Sequence, residues 1–170
     1  SASVIDRLPV GSVIQTKKTV ISNADTIALG TATDTVITGF TVNITPLFSN
    51  SIILLTGQFM GEHTYPQNTM FSFFRDSTKL SHATSGSRNV GIMSMSVSID
   101  SGNNDASTPE NVFMQFHDTP LTTNQITYKM TANTANSSST TLFINRTVND
   151  DDDTAHERGV SFIMAQEIKQ

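Results

Sequence analysis

From Ser12 to Ile168 the chain is built of short runs in which apolar and polar residues alternate, recurring about every 10 to 15 residues and parted by turns rich in Ser, Thr, Asn and Gly. Alternation with a period of two belongs to strands, because successive side chains point to opposite faces. No window of about 11 residues holds the 3.6-residue period of an amphipathic helix.

The pattern predicts a first strand over Ser12 to Ile21, then a polar loop marked by Asn23, Asp25 and Gly30. Asp34 to Ile44 sets Val36, Phe40, Val42 and Ile44 on one face against Thr35, Gly39, Thr41 and Asn43. Pro46 ends that strand, since proline cannot donate to a ladder. Ile52 to Met60 starts apolar on both faces, as in a central strand covered on both sides. Met70 to Arg75 follows, then a hairpin turn at Asp76-Ser77-Thr78-Lys79 and a short return from Leu80.

Val90 to Asp100 places Met93, Met95, Val97 and Ile99 together. Val112 to Asp118 is the next strand, and Gln125 to Ala132 aligns Ile126, Tyr128, Met130 and Ala132. Thr140 to Val148 precedes a last strand, Gly159 to Ile168, with Val160, Phe162, Met164 and Ile168 expected inward. Roughly nine or ten strands in one domain predict two packed antiparallel sheets with Greek-key connections, a jelly roll. The domain spans residues 12–170, and residues 1–11, with Pro9 and Gly11, form a lead-in arm.

Composition narrows the setting. A chain of 170 residues suits one domain that buries roughly 70% of its unfolded surface without a staple. There is no cysteine, which removes disulfides and thiolate metal sites. Ser, Thr and Asn make up roughly a third of the residues and charged residues only 15%, the neutral hydroxyl-rich surface of displayed β proteins. The net charge of −5 comes with no basic patch, which argues against nucleic-acid binding. The apolar run Ile52 to Leu55 is too short to insert in a membrane. No signal peptide is visible, and Ser1 would suit a complete protein whose initiator Met has been removed inside a cell.

Six motifs in order resemble those of a family of tailed-bacteriophage virion proteins found among marine and cyanobacterial phages. They are Gly11-Ser12-Val13-Ile14-Gln15, Thr38-Gly39-Phe40-Thr41, Ile44-Thr45-Pro46 leading into Ser51-Ile52-Ile53-Leu54-Leu55, Phe116-His117-Asp118-Thr119-Pro120 before Thr127-Tyr128-Lys129, Ile144-Asn145-Arg146-Thr147, and Ser161 to Ile168. The resemblance implies a trimeric jelly roll similar to the tumour-necrosis-factor and C1q heads, present in capsid decoration proteins, head fibres and tail-fibre tips. The stretches Gly61 to Gln67 and Asn149 to Arg158 match no pattern of that family.

Little catalytic chemistry is legible. Asp150, Asp151, Asp152 and Asp153 are candidate Ca²⁺ ligands, set against a solvated loop tip: consecutive carboxylates need a turn to converge, and the run lacks glycine and EF-hand spacing. His63, His82, His117 and His156 show no HxH or HExxH spacing. There is no Gly-x-Ser-x-Gly elbow. Glu62, Glu110, Glu157 and Glu167 cannot be paired as glycosidase carboxylates. The sequons at Asn43, Asn136 and Asn145 carry no meaning in a phage product. No cofactor is expected beyond the Ca²⁺ alternative.

Val112 to Phe116 is apolar on both faces, so one face needs a cover. Phe71, Phe73, Phe113 and Tyr128 are taken as trimer-interface candidates. The expectation is a non-enzymatic homotrimer on the virion surface, made in the host cytoplasm and seated on the major capsid or tail protein as a decoration or head-fibre protein. The alternative is a tail-fibre tip that reads a host surface glycan or protein through its loops, with His63, Tyr65, Asn103, Asn104 and Asn136 as contacts. A depolymerase ranks third.

Overall fold

The computed structural model describes residues 4–64, 68–81, 83–95, 107–135 and 140–170. Among these, a 3₁₀ turn at Ile5–Arg7 precedes eleven strands: β1 (Val13–Ile21), β2 (Asp25–Leu29), β3 (Thr35–Ile44), β4 (Ile52–His63), β5 (Thr69–Arg75), β6 (Thr78–Leu80), β7 (Met93–Ser94), β8 (Glu110–Asp118), β9 (Ile126–Thr134), β10 (Thr140–Ile144) and β11 (Ser161–Ile168). All the strand pairs are antiparallel.

β4 is the axis of a six-stranded sheet. Its first half pairs with β11 and its end with β10, while β8 runs along its other side; β1 flanks β11 and β2 flanks β10. The second sheet runs β3-β9-β5-β6, with β7 also on β5. The chain crosses between sheets at β2 to β3, β3 to β4, β4 to β5, β7 to β8, β8 to β9 and β9 to β10, and β11 returns beside β1. This is an antiparallel two-sheet jelly-roll sandwich, as the strand spacing predicts.

The core forms where the two inner faces meet. Phe59 packs between Phe40 and Phe71, with ring centroids 6.1 and 5.3 Å away. Phe73, Tyr128, Met130, Leu55 and Ile163 complete the layer, all fully buried. Each such side chain contributes roughly 1.5–3 kcal/mol through removal from water. Gly57 makes the close approach possible, since a Cβ there would stand 3.1 Å from both the Phe73 ring and the Met130 sulfur.

Four strand expectations need correction. Asp25–Leu29, expected as loop, pairs with β10 throughout its length. In β3, Ile37 is buried and Val36 exposed, because the register with β9 shifts between Val36 and Thr41. Gly39, at φ 80°, lies in this irregularity, where β3 goes from Val36 to Thr41 while β9 goes only from Thr131 to Lys129, an odd slip that switches the inward phase. In β11 the inward residues are Ser161, Ile163, Ala165 and Glu167, while Phe162, Met164 and Ile168 stand on the outer face and Val160 before the strand is exposed. Both faces of that strand are rich in apolar residues, so alternation fits either phase. Of the strand expected over Val90 to Asp100, Met93–Ser94 is paired with β5 and Met95 is buried; Val97 and Ile99 lie outside the described residues.

Candidate functional site

Several polar residues of the motifs are internal ties. Glu167 is fully buried. Its Oε1 accepts from the Leu47 and Phe48 amides at 2.8 and 3.1 Å and from the Ser51 hydroxyl at 2.8 Å. Its Oε2 accepts from Gln15 Nε2 at 2.9 Å, and that amide also donates to the Thr45 carbonyl. The first and last motifs and the Ile-Thr-Pro turn thus meet at one carboxylate. A buried carboxylate with several donors meets the condition under which burying charge is tolerated.

Asn145 holds a second tie. It adopts φ 57°, a region open to asparagine. Its side-chain amide donates to the Ile21 and Asn23 carbonyls at 2.7 and 3.0 Å, and its Oδ1 accepts from Ser161 Oγ at 2.6 Å. Asp118 holds the third, pairing with Arg75 at 2.9 Å and accepting from the Tyr128 hydroxyl at 2.6 Å. Burial and the Asp118 carboxylate push the Tyr128 pKa up, so the hydroxyl stays protonated and donates.

One inward carboxylate is poorly served. Glu110 starts β8 opposite Gly61, is 6% exposed, and its Oε2 finds no partner among the described residues. Burial, and then the neighbouring Glu62 carboxylate, push its pKa up to about 8. Glu62 is itself fully buried and accepts from Thr108 Oγ1 at 2.8 Å and the Val148 amide at 2.6 Å.

The outer face of the six-stranded sheet carries the unsatisfied apolar surface. One row across it reads Val20, Phe162, Gln58, Phe113, residues placed opposite one another on β1, β11, β4 and β8. The next reads Lys18, Met164, Thr56, Gln115, and a further one Thr16, Gln166, Leu54, His117. Ile168 faces Ile52 at the end. Phe113 is 53% and Val20 51% exposed, while Phe162, Met164, Leu54 and Ile168 are half-buried. These apolar side chains stand on one sheet face with Gln58, Thr56 and Gln115 between them.

The structure redistributes the residues singled out in the sequence. Phe71, Phe73 and Tyr128 are fully buried within this chain's own core, so they are corrected from interface to core; only Phe113 of that set reaches the surface. His63 ends β4 pointing inward, fully buried, with its ring nitrogens 2.8 and 2.9 Å from the Thr140 and Thr69 hydroxyls, so it is not a loop contact. Tyr65, Asn103, Asn104 and Asn136 lie outside the described residues, as does His82.

The Asp150–Asp153 run does not converge. Asp150 turns to Arg158 at 2.5 Å and Arg146 at 3.4 Å, Asp153 Oδ1 accepts from the Ala155 amide, and Asp151 and Asp152 are exposed. Among the described residues no group of three or more His, Cys, Asp or Glu side chains is placed to hold a metal ion. The lead-in is tied down in part. The Lys169 ammonium donates to the Ile5, Asp6 and Leu8 carbonyls at 3.2, 2.5 and 2.8 Å, leaving Val4 and Val10 exposed.

Phe162 and Met164 are the residues sequence reasoning misplaced. The sequence offered no signal against that placement: with Phe162 and Met164 inward Glu167 falls on the outer face, the usual place for a glutamate, whereas the structure buries it. No family model matches the chain, and no curated protein matches it.

Proposed function

We propose that this chain is a non-enzymatic structural protein displayed on the surface of a bacteriophage virion, a homotrimer that decorates the capsid or forms a head fibre. The observation that carries self-association is the apolar row Val20, Phe162, Phe113 on the outer face of the six-stranded sheet. Burying it between copies removes apolar area from water at roughly 25 cal/mol per Å². The phage origin is supported by the six ordered motifs. The jelly-roll topology fits them, and their polar members Gln15, Asp118, Asn145 and Glu167 are the ties that hold that topology together. The partners are further copies of this chain and the major capsid or tail protein beneath it.

Two measurements test this. Light scattering of the purified chain is expected to give a mass three times that of one chain; a single-chain mass at every concentration overturns the assembly. Immunogold imaging of particles is expected to label the shell. Label at the tail tip instead moves the protein to receptor binding, and particles without label sink the virion role.

A further inference from the structure

The outer face of the second sheet holds residues that are polar yet closed to water. Ser72, Thr131 and Asn133 point outward from β5 and β9, Thr131 opposite Ser72 and Asn133 opposite Met70, and all three are buried. Two of their atoms, Ser72 Oγ and Asn133 Oδ1, have no hydrogen-bond partner among the described residues. Folded proteins rarely leave such atoms unpaired, because contact with water is lost and nothing replaces it. Lys79 Nζ donates to Asp34 Oδ1 at 3.0 Å and to the Val90 carbonyl at 2.9 Å, and Asn133 Nδ2 donates to the same Asp34 oxygen at 2.7 Å. These contacts, from Asn133 through Asp34 and Lys79 to Val90, bring residues 83–90 against the polar face.

That segment is lightly held: none of residues 83–90 is buried. Its far end is fixed. The Ile92 amide donates to the Phe71 carbonyl at 2.8 Å, and Gly91 presses so close that a Cβ there would stand 2.8 Å from that same carbonyl oxygen. Before this point a hollow of about 320 Å³ separates the segment from Met70, lined also by Ser85, Arg88, Asn89, Val90 and Gly91. Side-chain hydrogen bonds span the gap, Lys79 to Val90 and Asn89 Nδ2 to the Asn68 carbonyl at 3.1 Å. A segment with little buried apolar surface, held by exposed hydrogen bonds, belongs to the low-stability end of a fold. We infer that residues 83–90 are a strap that swings off the outer face of the second sheet while the sandwich stays folded. Opening breaks the two side-chain ties and lets water reach Ser72 Oγ and Asn133 Oδ1. It also joins those atoms to Asp34 and Lys79 as one open hydrogen-bonding surface, which the closed strap keeps out of reach. The strap lies on the other sheet from the row Val20, Phe162, Phe113, so it works independently of how copies assemble.

Thiol labelling reads the strap. Ser72→Cys puts a thiol on the covered face, at a hydroxyl that makes no hydrogen bond. Ala132→Cys puts one in the core between the sheets. In native buffer the thiol at 72 is expected to react with a maleimide at least about a hundredfold faster than the thiol at 132, which waits for global unfolding. Low concentrations of urea are expected to change the rate at 72 little, because the opening exposes little surface. Adding Asn89→Ala, which cuts the tie to Asn68, is expected to speed labelling at 72 about fivefold, in line with loss of one hydrogen bond, and to leave the rate at 132 unchanged. Should Ser72→Cys or Ala132→Cys fail to fold, Thr131→Cys and Ala165→Cys carry the same test. Equal rates at the two sites, with the same urea dependence, would place the strap inside the global folding unit and overturn the inference. A rate at 72 that Asn89→Ala leaves untouched would overturn it too.

Discussion

The sandwich has two outer faces, and they are built for different surroundings. On the four-stranded path β3-β9-β5-β6 the outward rows read Asn43 beside Thr127, and Thr41 beside Lys129 beside Phe74 beside Lys79; the next pair, Thr131 and Ser72, is outward but buried. Asp34 there accepts from Lys79 Nζ and from Asn133 Nδ2. On the six-stranded sheet the equivalent rows set Val20, Phe162, Phe113, Met164 and Leu54 among the polar Gln58, Lys18, Thr56, Gln115, Thr16, Gln166 and His117. Both sheets bury an apolar inner face, as any sandwich must. The difference lies outside, where one face is finished almost wholly with hydroxyls and charged groups and the other keeps a set of large apolar side chains between its polar ones. A sheet that faced water on its own would be expected to alternate polar outward.

The sharpest way to break the contrast is a charge on each face. Phe162→Asp is expected to abolish self-association by light scattering, because a carboxylate would be stranded in a dry joint. Asn43→Asp on the polar face is expected to leave the mass unchanged. Equal effects from the two would remove the distinction between the faces.

A second contrast sets the buried carboxylate tie of one sheet against the surface ion pair of the other. Glu167→Ala leaves Leu47, Phe48 and Ser51 without this acceptor and removes one of the two that Gln15 uses, and is expected to cost roughly 3–5 kcal/mol in urea unfolding. A loss below about 1 kcal/mol, the range of exposed pairs, would show that the tie is dispensable.

Glu110 sharpens the same sheet by titration. Its folded pKa of about 8 lies above the ordinary 4.5, so between those values the folded chain holds a proton that the unfolded chain has released. Stability from this group therefore falls as pH rises across that window, by at most about 1.4 kcal/mol per pH unit, and the penalty is absent below it. Urea midpoints at pH 5 and pH 8 should differ less for Glu110→Gln than for the wild type. Identical pH dependence in both proteins would contradict the assignment. The smallest effect belongs to the polar face: Lys79→Met, which breaks the partly buried pair with Asp34, is expected to cost no more than about 1 kcal/mol by the same unfolding assay. A loss of several kcal/mol would show that this face carries more of the fold than its hydroxyl-rich finish implies.

Much of the fold was legible because the alternation in β9 and most of β3 is unambiguous: Ile126, Tyr128, Met130, Phe40, Val42 and Ile44 are all buried as their spacing predicts. The phase of β11 was not, since Phe162 and Ile163 are equally apolar and only tertiary pairing decides which one faces the core. Val36 and Ile37 exchange places because the register with β9 slips by an odd number of residues around Gly39, which no period of two anticipates. The interface candidates failed for a related reason. Large aromatic residues mark either a core or a joint, and Phe71, Phe73 and Tyr128 fill the interior between the sheets. Phe113 was legible as an exception because its neighbours Val112 and Met114 already satisfy the inner face.

The chain contains no cysteine, so a single thiol reports one position without ambiguity. Gln58→Cys places it in the middle of the apolar row, and Asn43→Cys on the polar face as a control. The thiol at 58 should react slowly with a maleimide while the protein is concentrated and quickly once it is diluted to single chains, with the thiol at 43 fast throughout. Equal reactivity of the two thiols at every concentration would mean that the greasy face of the six-stranded sheet stays open to water.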